Sequence, residues 1–382
     1  MIMSFIEFYR EHNISPVHQD ISDLERHFQR RQHLYRHLGI LPSIFEGKEI
    51  LEVGPGSGYN SIYIASLKPS VYHLVEGNQT GVREMESLFD SFPDHNKNVT
   101  VFPMLIEEFA VKHHYLYDVV LCEGMLPGLP EPEKTLELLA RFVKPGGVLV
   151  ITCIDPCSQF FESLRHLIGQ LLIVDCETIE NMVDRLLPVF SSHLDTLKDM
   201  SRSKEDWIID NIINPAAIGP ALSMADAIES IGEKFEVYGT SPRIFSDWRW
   251  YKTIHNEKSS FNTAVLNQYW TMVHNFLDHE RKFEPRAEAD NHELYRLCSL
   301  IREQIRKFRE DHDTLLIKQI IVLLEEISAN IKAFSMELTF AIEEVINILN
   351  EHSGIPEYIA NSEHFKRIFG RGQQYMSFTR TA

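Results

Sequence analysis

Cysteine is scarce in this sequence, with five among 382 residues. Cys122, Cys153, Cys157, Cys176 and Cys298 have neither the paired spacing of a zinc site nor the even count of a disulfide framework, so they read as reduced, mostly buried thiols. Basic charge is also in deficit. The 37 Lys and Arg residues stand against 55 Asp and Glu, a formal charge of −18 that repels phosphate backbones and anionic membranes at long range. Nucleic acid is therefore disfavoured as a partner, and the cluster Arg30, Arg31 and Arg36 reads as a solvated helix face rather than a phosphate site. No apolar run approaches the roughly 20 residues of a membrane span, so no membrane partner is expected. The first ten residues lack the basic start and long apolar stretch of a secretory leader, which makes the cytoplasm the expected compartment. No cluster of His, Asp and Glu at ligand spacing argues for a metal.

What remains is an ordinary globular composition, 44% hydrophobic and 24% charged, in a chain long enough for a core domain and at least one appended domain. Residues 1–47 carry Leu24, Phe28, Leu34 and Leu38 at helical spacing and predict one or two helices, with His27, His33 and Tyr35 placed to form a lid. From 48 to 155 short β-branched runs alternate with helical stretches, the signature of a parallel sheet. Strands are expected at 49–53, 72–75, 99–102, 119–122 and 148–152, helices at 60–67, 80–92 and 132–142, and a turn at Lys144-Pro145-Gly146-Gly147. A helical insertion at 156–234 follows, then a closing strand pair at 235–238 and 244–251 within a segment 235–256. Residues 257–382 predict a helical hairpin and a tail. One apolar stripe runs from Leu294 to Phe308 and another from Leu316 to Leu349, with capping residues Asp311 to Thr314 between them. These helices are also the expected seam of a homo-oligomer, although the spacing does not keep a strict heptad and intrachain packing is favoured.

The most informative segment is Glu52-Val53-Gly54-Pro55-Gly56-Ser57-Gly58. A buried strand running into a glycine loop and a helix aims backbone N–H groups at a ligand above the strand's carboxyl end. A dinucleotide fingerprint fails in both frames, because Tyr59 and Ser61 stand where its third glycine is needed, and no Gly-Lys-Ser/Thr of a P-loop follows. The acid at Glu52 would repel a pyrophosphate but suits a ligand with an ammonium group, such as the methionine part of S-adenosylmethionine.

This arrangement resembles motif I of class I methyltransferases, and the likeness extends over most of residues 48–155. The resemblance implies a Rossmann-like α/β fold, a mostly parallel seven-stranded sheet with helices on both faces, to which the helical insertion and the C-terminal helical region are added. It implies S-adenosyl-L-methionine as cofactor, held by Glu52, Gly54, Gly56, Gly58, Glu76 and Asn78. Glu76 would meet the ribose hydroxyls, and Leu105 or Ile106 would pack on the adenine, where the family usually has an acid. Tyr117 to Gly124 resembles the fourth strand, and Lys144 to Val150 the turn and fifth strand. Cys122-Glu123-Gly124-Met125 replaces the Asn/Asp-Pro-Pro-aromatic loop of base-amine methylases, which disfavours that chemistry.

Methyl transfer depends largely on positioning and needs a base only where the acceptor must lose a proton. Glu123 is the first candidate for acceptor binding or proton removal, with a second cofactor contact as the other reading. Asp210 and Trp250 are the candidate acceptor walls. Aromatic rings beside hydrogen-bonding groups suit a sugar, an aromatic ring or a cation, while Trp248 and Trp250 at strand period also fit a core. The expected activity is methyl transfer to oxygen or nitrogen of a small polar metabolite, a carbohydrate among the candidates. A non-catalytic cofactor-binding assembly module is the alternative.

Overall fold

The computed structural model describes residues 5–15, 18–198, 200–352 and 354–381. The described residues form two compact units: a sheet-bearing unit within 5–154, 220–269 and 373–381, and a helical unit within 155–219 and 270–372.

The sheet-bearing unit opens with helices α1 (Phe5–His12) and α2 (Leu24–His37). Strands and helices then alternate: β1 (Glu49–Val53), α3 (Ser61–Ser66), β2 (Val71–Val75), α4 (Gln79–Asp90), β3 (Val99–Phe102), α5 (Ile106–Lys112), β4 (Tyr117–Cys122), α6 (Pro132–Ala140) and β5 (Val143–Ile154). Two further strands, β6 (Phe235–Ser241) and β7 (Gln373–Arg380), complete a sheet of order β3-β2-β1-β4-β5-β7-β6. The first five strands are parallel and β7 runs antiparallel to both its neighbours, so the Rossmann-like class is present. Ile50, Leu51, Val119, Val120, Leu121, Leu149 and Val150 are fully or almost fully buried, as strands covered on both faces require. The Lys144 to Gly147 turn lies inside β5 as a bulge: Tyr117 pairs with Val143, and the next registered pair is Val119 with Val148.

Segment 244–251 is not a strand. Its place between β5 and β6 is taken by β7, in which buried Gln374, Met376 and Phe378 alternate as a central strand should. Pro242 follows β6 without an N–H to offer a ladder. Asp247 then closes on the Arg249 backbone and guanidinium, and Tyr251–Thr253 curl into a 3₁₀ turn. Trp248 is left 93% exposed and Trp250 62%, so neither belongs to a core.

In the helical unit the expected hairpin is three helices rather than two: Glu288–Asp311, Thr314–Ile331 and Met336–Asn347. Asp313 caps the second through the Leu315 N–H. The apolar stripe continues across 332–335, but Ser335 accepts the Leu338 N–H and starts a new helix there. An apolar period survives a turn and does not reveal it. Residues 155–219 and 270–372 share this unit, so its boundaries cut across the expected segments 156–234 and 257–382.

Candidate active site

The glycine loop leaves β1 with Gly54, Gly56 and Gly58 at φ of 71°, 58° and 79°, a region that side chains with a Cβ rarely adopt. At Gly54 and Gly58 there is also no room for one. A Cβ on Gly54 would sit 2.9 Å from the Met125 Sδ, and on Gly58 2.7 Å from the Met85 Cγ. At the start of α4, a Cβ on Gly81 would meet the Gly56 carbonyl oxygen at 3.1 Å, so helix and loop touch through backbone.

Glu76, at the carboxyl end of β2, is buried against this loop. One carboxylate oxygen accepts the Gly56 N–H at 2.8 Å and the other the Asn78 N–H at 2.7 Å. Burial pushes this carboxyl up, against the two N–H groups that pull it down. Asn78 serves the fold: it caps α4 through the Thr80 N–H and donates to the Ile14 carbonyl. Leu105 lies across Gly77, where a Cβ would come within 2.7 Å of its Cδ2, and Ile106 is buried at the start of α5.

The N-terminal segment lies over the same loop. Arg10 of α1 donates to the Gly77 carbonyl, Ser15 shares a hydrogen bond of 2.9 Å with Ser57, and His27 of α2 bonds the Tyr59 carbonyl at 2.9 Å.

The carboxyl end of β4 carries a second buried cluster. Arg31 Nη2 donates to Glu123 Oε2 at 2.6 Å and to the Tyr35 hydroxyl at 2.9 Å, while Tyr35 donates to Glu123 Oε1 at 2.6 Å. The Arg31 and Glu123 side chains are 8% and 6% exposed. Tyr375 of β7 faces the same pair, and its phenol is pushed up to about 12 by burial and by Glu123. Glu52 is not open to an ammonium group, as its place before the glycines suggested. It is buried, accepts the Tyr72 hydroxyl, and is pushed up to about 7 by desolvation and by Glu123.

Arg31 and Tyr35 are the site residues that the sequence reading missed or misplaced. Arg31, expected with Arg30 and Arg36 on a solvated face, is buried. The signal was present, because His27, Arg31, Tyr35 and Leu38 follow one another at intervals of four, four and three, and all are buried. A search for apolar residues alone passes over such a stripe. Asp210, by contrast, belongs to the helical unit, where it forms an ion pair with Arg202 at 2.7 Å. Trp250 projects from the 244–251 loop with the Lys252 ammonium 5.3 Å from its ring centre. Among the described residues no group of three or more His, Cys, Asp or Glu is placed to hold a metal ion, and no helix is long and apolar enough to cross a membrane.

A parallel sheet of this order, with a glycine loop after β1 and an acid after β2, defines a Rossmann-like nucleotide-binding domain. Residues 26–193, somewhat under half of the chain, match a family model described as a methyltransferase domain, and the fold is consistent with a class I, Rossmann-like methyltransferase. A ubiquinone biosynthesis O-methyltransferase of Proteus mirabilis is 31% identical over 140 residues, 36% of this chain and 52% of that protein. Its counterpart in Saccharophagus degradans is 34% identical over 109 residues, 28% of this chain and 44% of that one. The chain thus spans about half the length of the curated relatives it matches. Among solved structures, PKMT2 from Rickettsia typhi is similar at 14% identity and a TM-score of 0.43, over 64% of this chain and 49% of that one. A putative methyltransferase from Thermoplasma acidophilum is similar at 28% identity and a TM-score of 0.24, over 28% and 44%.

Proposed function

We propose that the sheet-bearing unit binds S-adenosyl-L-methionine and transfers its methyl group to an oxygen or nitrogen atom of a small polar acceptor. The observation that carries this reading is the placing of Glu76. A buried carboxylate bonded to the Gly56 N–H puts an acceptor for a ribose diol and a backbone approach surface side by side. Gly54, Gly56 and Gly58 would let the methionine portion lie against the loop, and Leu105 and Ile106 would pack on the adenine. Bound there, S-adenosyl-L-methionine would supply an activated methyl group for the acceptor atom and would leave as S-adenosylhomocysteine. Glu123 and Arg31, at the end of β4, would face the acceptor. The similar ubiquinone biosynthesis O-methyltransferases favour oxygen.

Calorimetry with S-adenosylhomocysteine tests the cofactor half directly. Glu76→Ala should weaken binding by about 100-fold, the loss of two charge-assisted hydrogen bonds. Gly56→Val should abolish binding, and the strain of a β-branched residue at a φ of 58° should lower the unfolding temperature by a few degrees. Unchanged affinity in both variants, or tighter binding of a nicotinamide dinucleotide, would overturn the assignment.

A further inference from the structure

The cluster at the end of β4 restricts the acceptor beyond its being small and polar; this inference rests on the cofactor reading above. Each oxygen of Glu123 already accepts a short hydrogen bond, one from Arg31 and one from Tyr35. To take a proton from an acceptor, Glu123 would have to leave a buried ion pair, which is unfavourable. The donor side of the cluster differs. Arg31 uses Nη2 for both of its partners, and its buried Nε has no partner among the described residues. Buried N–H groups are nearly always satisfied, and an idle one on a guanidinium marks a place for an acceptor oxygen.

Charge points the same way. Glu52 is buried and takes the Tyr72 hydroxyl, and the Glu123 carboxylate is already paired with Arg31. A sulfonium at the adjoining loop would add a positive charge with no partner in this cluster. We propose that Arg31 binds the acceptor through an anionic oxygen, so that the substrates of this site are carboxylates or phenols acidic enough to arrive as phenolates. Such an acceptor has no proton to lose, so Glu123 acts by positioning Arg31 rather than as a base. Tyr35 holds the other oxygen of Glu123.

The test uses binding, with the full chain saturated by S-adenosylhomocysteine. Benzoate, pentafluorophenolate, neutral benzamide and cationic benzylamine are titrated in turn and followed by ligand NMR. At least one of the two anions should bind tenfold or more tightly than benzamide, and which one does so separates carboxylate from phenolate acceptors. Arg31→Met should erase that preference while S-adenosylhomocysteine affinity changes less than twofold. Because Arg31→Met leaves Glu123 unpaired, the double variant Arg31→Met/Glu123→Gln serves as a second test and should show the same loss. Glu123→Gln alone should keep or strengthen the preference. Equal binding of benzamide or benzylamine, no binding of either anion, or a preference that survives without Arg31 would overturn the proposal. Failure of the wild-type chain to bind S-adenosylhomocysteine would instead overturn the cofactor reading beneath it.

Discussion

Glu52 shows how a side chain at one position can carry a cost that its neighbours impose. Buried beside Tyr72 and within the field of Glu123, it is raised from the ordinary 4.5 to about 7. A carboxyl raised on folding contributes stability that is whole below its unfolded value and disappears as pH climbs through its folded value. The difference amounts to about 3 kcal/mol at full ionisation, at 1.36 kcal/mol per unit. Glu52→Gln, which keeps the shape and drops the charge, should match the wild type in thermal unfolding at pH 4.5 and exceed it progressively from pH 6 to 8. A constant gap between the two across that range would mean that Glu52 does not titrate there. The substitution also leaves the Arg31 cluster its own pair intact, so anion binding should persist.

At the level of elements, α1 and the residues after it cross the glycine loop through contacts that come from outside the parallel-sheet core. Arg10 to the Gly77 carbonyl, Ser15 to Ser57 and Asn78 to the Ile14 carbonyl are polar tethers, each worth about 1 kcal/mol net. Removing residues 1–12, and with them the Arg10 tether, should therefore speed the release of S-adenosylhomocysteine by about fivefold in stopped-flow displacement while the sheet unfolds at an unchanged temperature. If release is unchanged, the segment covers the loop without retaining its ligand. The strands β1 to β5 could be read from the sequence because each is a short apolar run between turn residues, and a parallel strand needs little more. The loop and Glu76 could be read because their spacing is local. The closing strand could not, since β7 pairs with residues more than 200 positions earlier and its Gln, Ser and Thr content resembles a tail. Arg31 was hidden for a related reason: a charged residue on a buried helix face becomes intelligible only once Glu123, 92 positions away, is seen to meet it.

For the molecule as a whole, the helical unit is expected to be the more acid-sensitive part, because it holds the most strongly lowered histidines. His166 and His193 are held down to about 3 and His274 to about 4, in each case chiefly by burial. A histidine lowered on folding contributes stability above 6.5 that is lost as pH falls toward its folded value. Three together should cost about 4 kcal/mol per pH unit between pH 6 and 4. Hydrogen exchange across that range should show 155–219 and 270–372 opening first, and a uniform loss of protection through both units would contradict this. The route of the chain adds a constraint on synthesis. β5 takes β7 as its antiparallel neighbour only when residues 373–380 arrive, after 218 intervening residues from Ile154 to Gln373 have been made. At roughly 5–20 residues per second, the edge of β5 stays without that partner for about ten seconds or more on the ribosome. During this interval the nascent sheet offers an open apolar border to any passing strand, so a chaperone that shields it should raise the yield of folded protein more than it raises the rate of synthesis.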